Sequence, residues 1–152
     1  MKVAVQAEDF RLEDEIAHLR GTRTDLGALV TFTGLVRDFH GERKIHRMTL
    51  EHFPGMAERQ LTELAHTAMR RWDLQDVTLI HRYGSLDAGE QIVLVITAAA
   101  HRQAAFEAAQ FLMDWLKTDA PFWKKEYSDH GTEWVESREE DTKAREKWLK
   151  NP

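Results

Sequence analysis

Apolar and polar positions alternate along this chain in two rhythms, one near 3.6 residues and one of 2, and these divide it into helices and strands. Leu12, Ile16 and Leu19 recur at helical spacing within Leu12–Arg20, which Gly21 ends. Leu61, Leu64, Ala65, Ala68, Met69 and Trp72 form the apolar stripe of a second helix over 56–72, opened by Pro54-Gly55. A third helix is predicted over 102–118. A charged fourth follows over 139–150, with Glu139 and Lys143 at i,i+4.

The period-2 segments read as strands. Val3–Gln6 is short, and Ala28–Arg37 is the strongest, rich in β-branched and aromatic residues. Gly34 inside it predicts a bulge or a close backbone approach. Asp38–Lys44 reads as a polar loop, and Ile45–Phe53 as a strand with His46, Met48, Leu50 and His52 on one face. Val77–Tyr83 is the next strand, followed by a turn at 87–90. Gln91–Ala99 is apolar almost throughout, as expected of a strand central in its sheet. Pro121 must interrupt the third helix, since proline lacks an amide proton and disfavours helix in the residue before it. Phe122–Tyr127 then forms a strand that pairs, through Asp129-His130-Gly131, with Glu133–Glu136. Phe122, Lys124 and Glu126 share one face of it; Trp123, Lys125 and Tyr127 share the other. With no repeat, low-complexity tract or linker, the chain is expected to be one α+β domain over 1–152.

Composition narrows the function. The 152 residues are 42% hydrophobic and 31% charged, a globular balance, and the longest apolar run falls short of the roughly 18 residues a membrane helix needs. Acidic residues follow soon after Met1, unlike a signal peptide, so a cytoplasmic location is expected. A formal charge of −5 argues against nucleic-acid binding by bulk electrostatics, so any anion site must be local. Cysteine is absent, which removes disulfides, thiol nucleophiles and thiolate metal ligands together. Sulfur, if handled at all, must arrive on another molecule.

The helix–proline–strand corner at 116–126 carries the candidate chemistry. It delivers Lys117 from a helix end and Lys124 from a strand start, two ammonium groups flanked by aromatics, which suits an anionic ligand. Equally, Lys117 could complement a helix C-terminus and Lys124-Lys125 could be a solvated strand end. Crowding is expected to lower the pKa of at least one of the two amines. His40, His46 and His52 recur every six residues, but no second acidic ligand stands at fitting spacing and no metal site is expected. His101 and Arg102 add charge at a helix start, itself favourable to anions. Yet Arg102 and Lys117 lie 15 residues apart, about 22 Å along a helix. They serve separate sites, or a two-fold dimer brings Lys117 of one copy to His101 and Arg102 of the other.

These residues carry a resemblance. Val30–Arg37, Leu50–Met56, Ile80–Gly84, Ala100-His101-Arg102, Phe106-Glu107-Ala108 and Leu116–Glu126 resemble the large, catalytic subunit of molybdopterin synthase, in that family's order, from about Gly27 to Glu140. The ends, 1–26 and 141–152, diverge. The resemblance implies an α/β-hammerhead-type fold with an additional antiparallel β subdomain. It also implies an enzyme of molybdenum cofactor biosynthesis, converting cyclic pyranopterin monophosphate into molybdopterin. A small ubiquitin-like partner would bring each sulfur as a C-terminal glycine thiocarboxylate, within a heterotetramer built on a homodimer of this chain. No cofactor or metal is implied.

By position, Lys117 matches the family's essential lysine and Lys124 its second active-site lysine. Arg37, with Leu35 and Val36 beside it, matches pterin or phosphate contacts, as do His101, Arg102 and the Lys124-Lys125-Glu126 run. Arg138 matches a residue reaching in from the neighbouring subunit. Leu35 stands where some relatives carry lysine. Fixed cations in a dry pocket stabilise shifting negative charge better than water. Two other functions compete with sulfur transfer: a non-catalytic pterin- or nucleotide-binding module that recruits a ubiquitin-like protein, and Schiff-base chemistry at Lys117.

Overall fold

The computed structural model describes residues 1–118, 121–135 and 139–150. Two sheets organise the chain. In the first, β7 (Gln91–Ala99) lies between β5 (Asp76–Arg82) and β2 (Ala28–Leu35), antiparallel to both, while β1 (Lys2–Gln6) runs parallel to β5 at an edge. Alternate residues of β7 enter opposite cores. Val93, Val95 and Ala99 pack with α2 (Met56–Arg71) and α3 (Arg102–Thr118), whereas Leu94, Ile96 and Ala98 pack toward α1 (Leu12–Arg20). Burial on both faces is why β7 reads as an unbroken apolar run, and its central place is as expected.

The second sheet is built on β4 (Arg43–His52). On one side β4 pairs with β8 (Phe122–Ser128), which continues to β9 (Gly131–Val135). On the other it meets β3 (Phe39–His40) and β6 (Gly84–Asp87). Val36, Met48, Leu50 and Leu86 form a small core there. The expected α+β class with an added antiparallel sheet is what the chain adopts. Among the described residues no helix is long and apolar enough to cross a membrane.

Two of the places where the chain passes between the sheets, just after β2 and just before β7, are tied together. The Val36 amide donates to the Glu90 carbonyl at 2.9 Å, and Gly89 donates to the Val36 carbonyl at 2.7 Å. At another passage, from β5 to β6, Gly84 has φ +94°, a conformation that L side chains rarely adopt. The Arg82 guanidinium, buried nearby, donates to the carbonyls of Ala7 (3.1 and 3.0 Å) and Gln91 (2.9 Å).

Several local expectations change. The first strand of the Gly34 segment ends at Leu35, since Val36 leaves the first sheet for the crossing. Residues 38–44 are more than a loop: Phe39 pairs with Lys44 and His40 with Arg43 around Gly41. His46 does not share the face of Met48, because a bulge between Ile45 and Arg47 buries Ile45 and turns His46 outward. Gly34 meets both of its expectations, sitting at a register shift and so close to β7 that a Cβ would lie 2.7 Å from Val93 Cγ1. The helix α4 (Glu139–Lys150) packs on α3, where Trp148 Nε1 donates to the buried Asp114 carboxylate at 2.7 Å. Glu139 and Lys143 pair at 3.1 Å, as their spacing predicts.

Candidate functional site

The corner between the two sheets holds the candidate site. Helix α3 is fixed at its start by Thr97, whose hydroxyl donates to the Ala105 carbonyl at 2.7 Å, and along its length by buried Leu112 and Leu116. One residue beyond Leu116, Lys117 emerges at the surface. Strand β8 is held against β4 with Phe122 opposite His52, Lys124 opposite Leu50 and Glu126 opposite Met48. Residues directly opposite in a ladder share a face, so the inward side chains of β4 aim Lys124 and Glu126 inward too.

A cavity of about 280 Å³ lies between these elements. Arg37, His81, Lys117, Lys124, Glu126 and Asp141 contribute to its polar wall, and Phe32, Met48, Ile92 and Met113 to its apolar wall. A larger groove of about 400 Å³ runs between α2 and α3, lined by Leu61, Leu64, Phe111 and Trp115. It has no cationic side chain, so an anion has no reason to enter it.

Electrostatics single out Lys124. Burial is the main force pushing its amine down, to about 8, and the neighbouring charge of Lys117 adds to it; Asp141 and Glu126 oppose. The expected lowering is therefore present, but crowding is its lesser cause. Glu126 is buried and pairs with His40 Nδ1 at 2.7 Å. His81 is buried in the same wall, its ring stacked on Phe122 with centroids 3.8 Å apart and planes 12° apart. Burial pushes its pKa down to about 4, and the charges of Lys124, Lys117 and His52 act in the same direction. The hydrogen bond between Nδ1 and the Arg82 carbonyl opposes them.

The structure thus brings Arg37, Lys117, Lys124 and Glu126 to one cavity, with exposed Leu35 at its edge. Val36 is buried in the second sheet's core, with its amide and carbonyl both used at the crossing. His101 and Arg102 are exposed at the start of α3, about 22 Å along the axis from Lys117, and do not line the cavity. Lys125 sits on the opposite face of β8, its amine 5.4 Å from the Trp134 ring centroid. Arg138 lies outside the described residues. The three evenly spaced histidines go to separate partners: His40 to Glu126, His46 to Asp129 at 2.6 Å, and His52 against the Tyr83 ring.

Sequence reasoning missed His81 and Asp141 among the wall residues. His81 was visible only as a histidine inside an otherwise apolar strand, which usually means a satisfied core residue. Asp141 carries no local signal, because the packing of α4 on α3 places it there.

The family described as "MoaE protein" matches residues 5–119. Among curated relatives, the molybdopterin synthase catalytic subunit of Mesorhizobium japonicum is 53% identical over 148 residues, 96% of this chain and 92% of that protein. The Escherichia coli protein of the same name is 47% identical over 147 residues, 97% of each chain. Of solved structures, the molybdopterin biosynthesis MoaE protein from Burkholderia ambifaria superposes with a TM-score of 0.83 at 44% identity, covering 97% of both chains. Molybdopterin synthase from Staphylococcus aureus superposes with a TM-score of 0.79 at 27% identity, covering 86% of this chain and 94% of that one.

Proposed function

The chain belongs to the MoaE family, and from that premise we infer that it is the catalytic subunit of a molybdopterin synthase. It transfers sulfur from the C-terminal thiocarboxylate of a small sulfur-carrier subunit to cyclic pyranopterin monophosphate, making the dithiolene of molybdopterin. The observation that carries this to the residues is the shared cavity of Lys117 and Lys124 at the meeting of the two sheets. A chain without cysteine suits the chemistry, since the sulfur comes from the partner.

Each transfer forms a carbon–sulfur bond on the substrate and breaks the acyl–sulfur bond of the donor, whose terminus leaves as a carboxylate once water supplies the oxygen. Negative charge moves throughout, so the site must hold anions at fixed points while water is kept from the wrong ones. Lys117, exposed at the helix end, is assigned to the donor terminus and the attacked carbon, exchanging protons there. Lys124, set deeper, and Arg37 hold the anionic oxygens. The Lys124 amine, lowered to about 8, still keeps its proton at neutrality and so can hold an anion there.

His101 and Arg102 fit this scheme as phosphate or pterin anchors only if a second copy of the chain presents them. The rigid length of α3 supports a site shared across a homodimer, within a heterotetramer. A cytoplasmic location and a single functional unit over 1–152 belong to the same reading.

The deciding experiment mixes the chain with thiocarboxylated partner and cyclic pyranopterin monophosphate and looks for dithiolene product. Binding without product would leave a pterin-binding module instead. The shared site is tested by mixing Lys117→Ala with Arg102→Ala chains. Each is expected to be inactive alone, with activity returning in mixed dimers; no recovery would refute sharing.

A further inference from the structure

Three of the five carboxylate, ammonium and guanidinium side chains in the cavity wall can only donate. Ammonium and guanidinium groups only donate, so Lys117, Lys124 and Arg37 offer nothing to an N–H or O–H on a bound molecule. Of the two carboxylates in the wall, Glu126 is engaged by His40, and both Glu126 and Asp141 offset the charge of Lys124. An aromatic heterocycle bearing N–H groups would therefore meet few neutral side-chain acceptors there: the Thr118 hydroxyl and one ring nitrogen on each of His40 and His81.

Of these, His81 is the most deeply buried. Its Nδ1 lies 2.8 Å from the Arg82 carbonyl oxygen, which can only accept, so Nδ1 carries the proton. The Phe122 ring lies flat on one side of the imidazole and fixes its plane. In a neutral ring with a proton on Nδ1, Nε2 is a bare lone pair. No described side chain takes up that nitrogen, and the residue lines the cavity. Burial keeps it from protonating, helped by the ammonium groups of Lys124 on β8 and Lys117 on α3, and His52 on β4 also faces it.

Resting on the sulfur-transfer reading above, we propose that His81 is a further substrate-binding residue, whose Nε2 accepts a hydrogen bond from an N–H or O–H of the bound heterocycle. It selects a ring that presents a donor at that point over one that does not. The selection is strong because a donor left unpaired in a closed pocket loses the hydrogen bonds it had in water.

Three variants test this. His81→Phe preserves a ring to stack on Phe122 but removes both nitrogens. His81→Gln can place an amide oxygen near the Nε2 position, and His81→Asn can restore only the Nδ1 contact to Arg82. Each is assayed with the thiocarboxylated partner for KM and kcat, and titrated calorimetrically with cyclic pyranopterin monophosphate alone. Melting temperatures at pH 8 monitor the fold.

His81→Phe should raise KM and the pterin Kd by about tenfold or more, with kcat changed far less. His81→Gln should recover most of that loss and His81→Asn little. Recovery by Asn in place of Gln, or an unchanged KM and Kd in His81→Phe, would overturn the proposal. If His81→Phe does not fold, the order of Gln and Asn decides. Absence of turnover in the wild type would refute sulfur transfer while the pterin titrations still judged His81; a wild type that binds no pterin would refute both.

Discussion

His40 Nδ1 and Glu126 Oε1 lie 2.7 Å apart, joining the β3–β4 hairpin to the inward face of β8. The contact keeps a buried carboxylate close to Lys124, where it favours the charged amine. Glu126→Gln keeps the shape and removes the charge. The Lys124 pKa should then fall below its present value of about 8. The basic limb of the kcat/KM profile is expected to move to lower pH, and an unmoved limb would separate that limb from Lys124.

Replacing Lys117 should act in the opposite direction. Its charge lowers the Lys124 pKa, so Lys117→Ala should move any remaining basic limb to higher pH. The same change should cost roughly 100-fold or more in kcat, the scale of losing one fixed charge-stabilising group. Lys117→Arg retains the charge without proton exchange near neutrality. Wild-type turnover in that variant would leave Lys117 as an electrostatic anchor only.

His81 should set an acid limit on stability. Its pKa is about 4 when folded, against an ordinary 6.5, so between these values the unfolded chain binds the extra proton. The benefit of burying a neutral ring is therefore complete above pH 6.5 and is lost as the pH falls toward 4. The amount at stake is on the order of 3 kcal/mol. Urea unfolding of wild type and His81→Phe from pH 7 to pH 4 should show a shallower acid loss in the variant.

Two glycines should prove unequal. At Gly34 an added Cβ meets the Val93 side chain at 2.7 Å, and a partial shift of Val93 costs about 1–3 kcal/mol. At Gly27 it would meet the Ala100 carbonyl oxygen at 1.9 Å, and backbone must move. Gly27→Ala is thus expected to lower the melting temperature more than Gly34→Ala. Because Val93 also lines the cavity, Gly34→Ala should additionally raise KM.

The long elements were legible because burial leaves its period in the sequence. The boundaries of α3 and β7 coincide with their apolar patterns, and Gly34 announced both its bulge and its close approach. The strands β3 and β6 were not legible, being two and four residues long and formed only because β4 offers them an edge. The outward turn of His46 was hidden for a related reason: an extra residue at Ile45–Arg47 resets the alternation without changing composition. At the site, strict alternation already put Lys124 and Lys125 on opposite faces of β8. Grouping Lys125 with the substrate contacts came from the resemblance, and its amine lies by Trp134. His81 and Asp141 become site residues only through contacts between distant segments, which a one-dimensional pattern cannot encode.

The unbroken run of α3 from Arg102 to Thr118 makes it a spacer as well as a core element. Inserting one residue at its exposed surface would swing everything beyond by about 100° and carry the Lys117 amine off the cavity wall. Removing a whole turn would preserve its heading but draw the two ends about 5.4 Å closer. Length and rotational phase are thus locked in this one rod, and evolution can trim neither without re-aiming the chemistry at its tip.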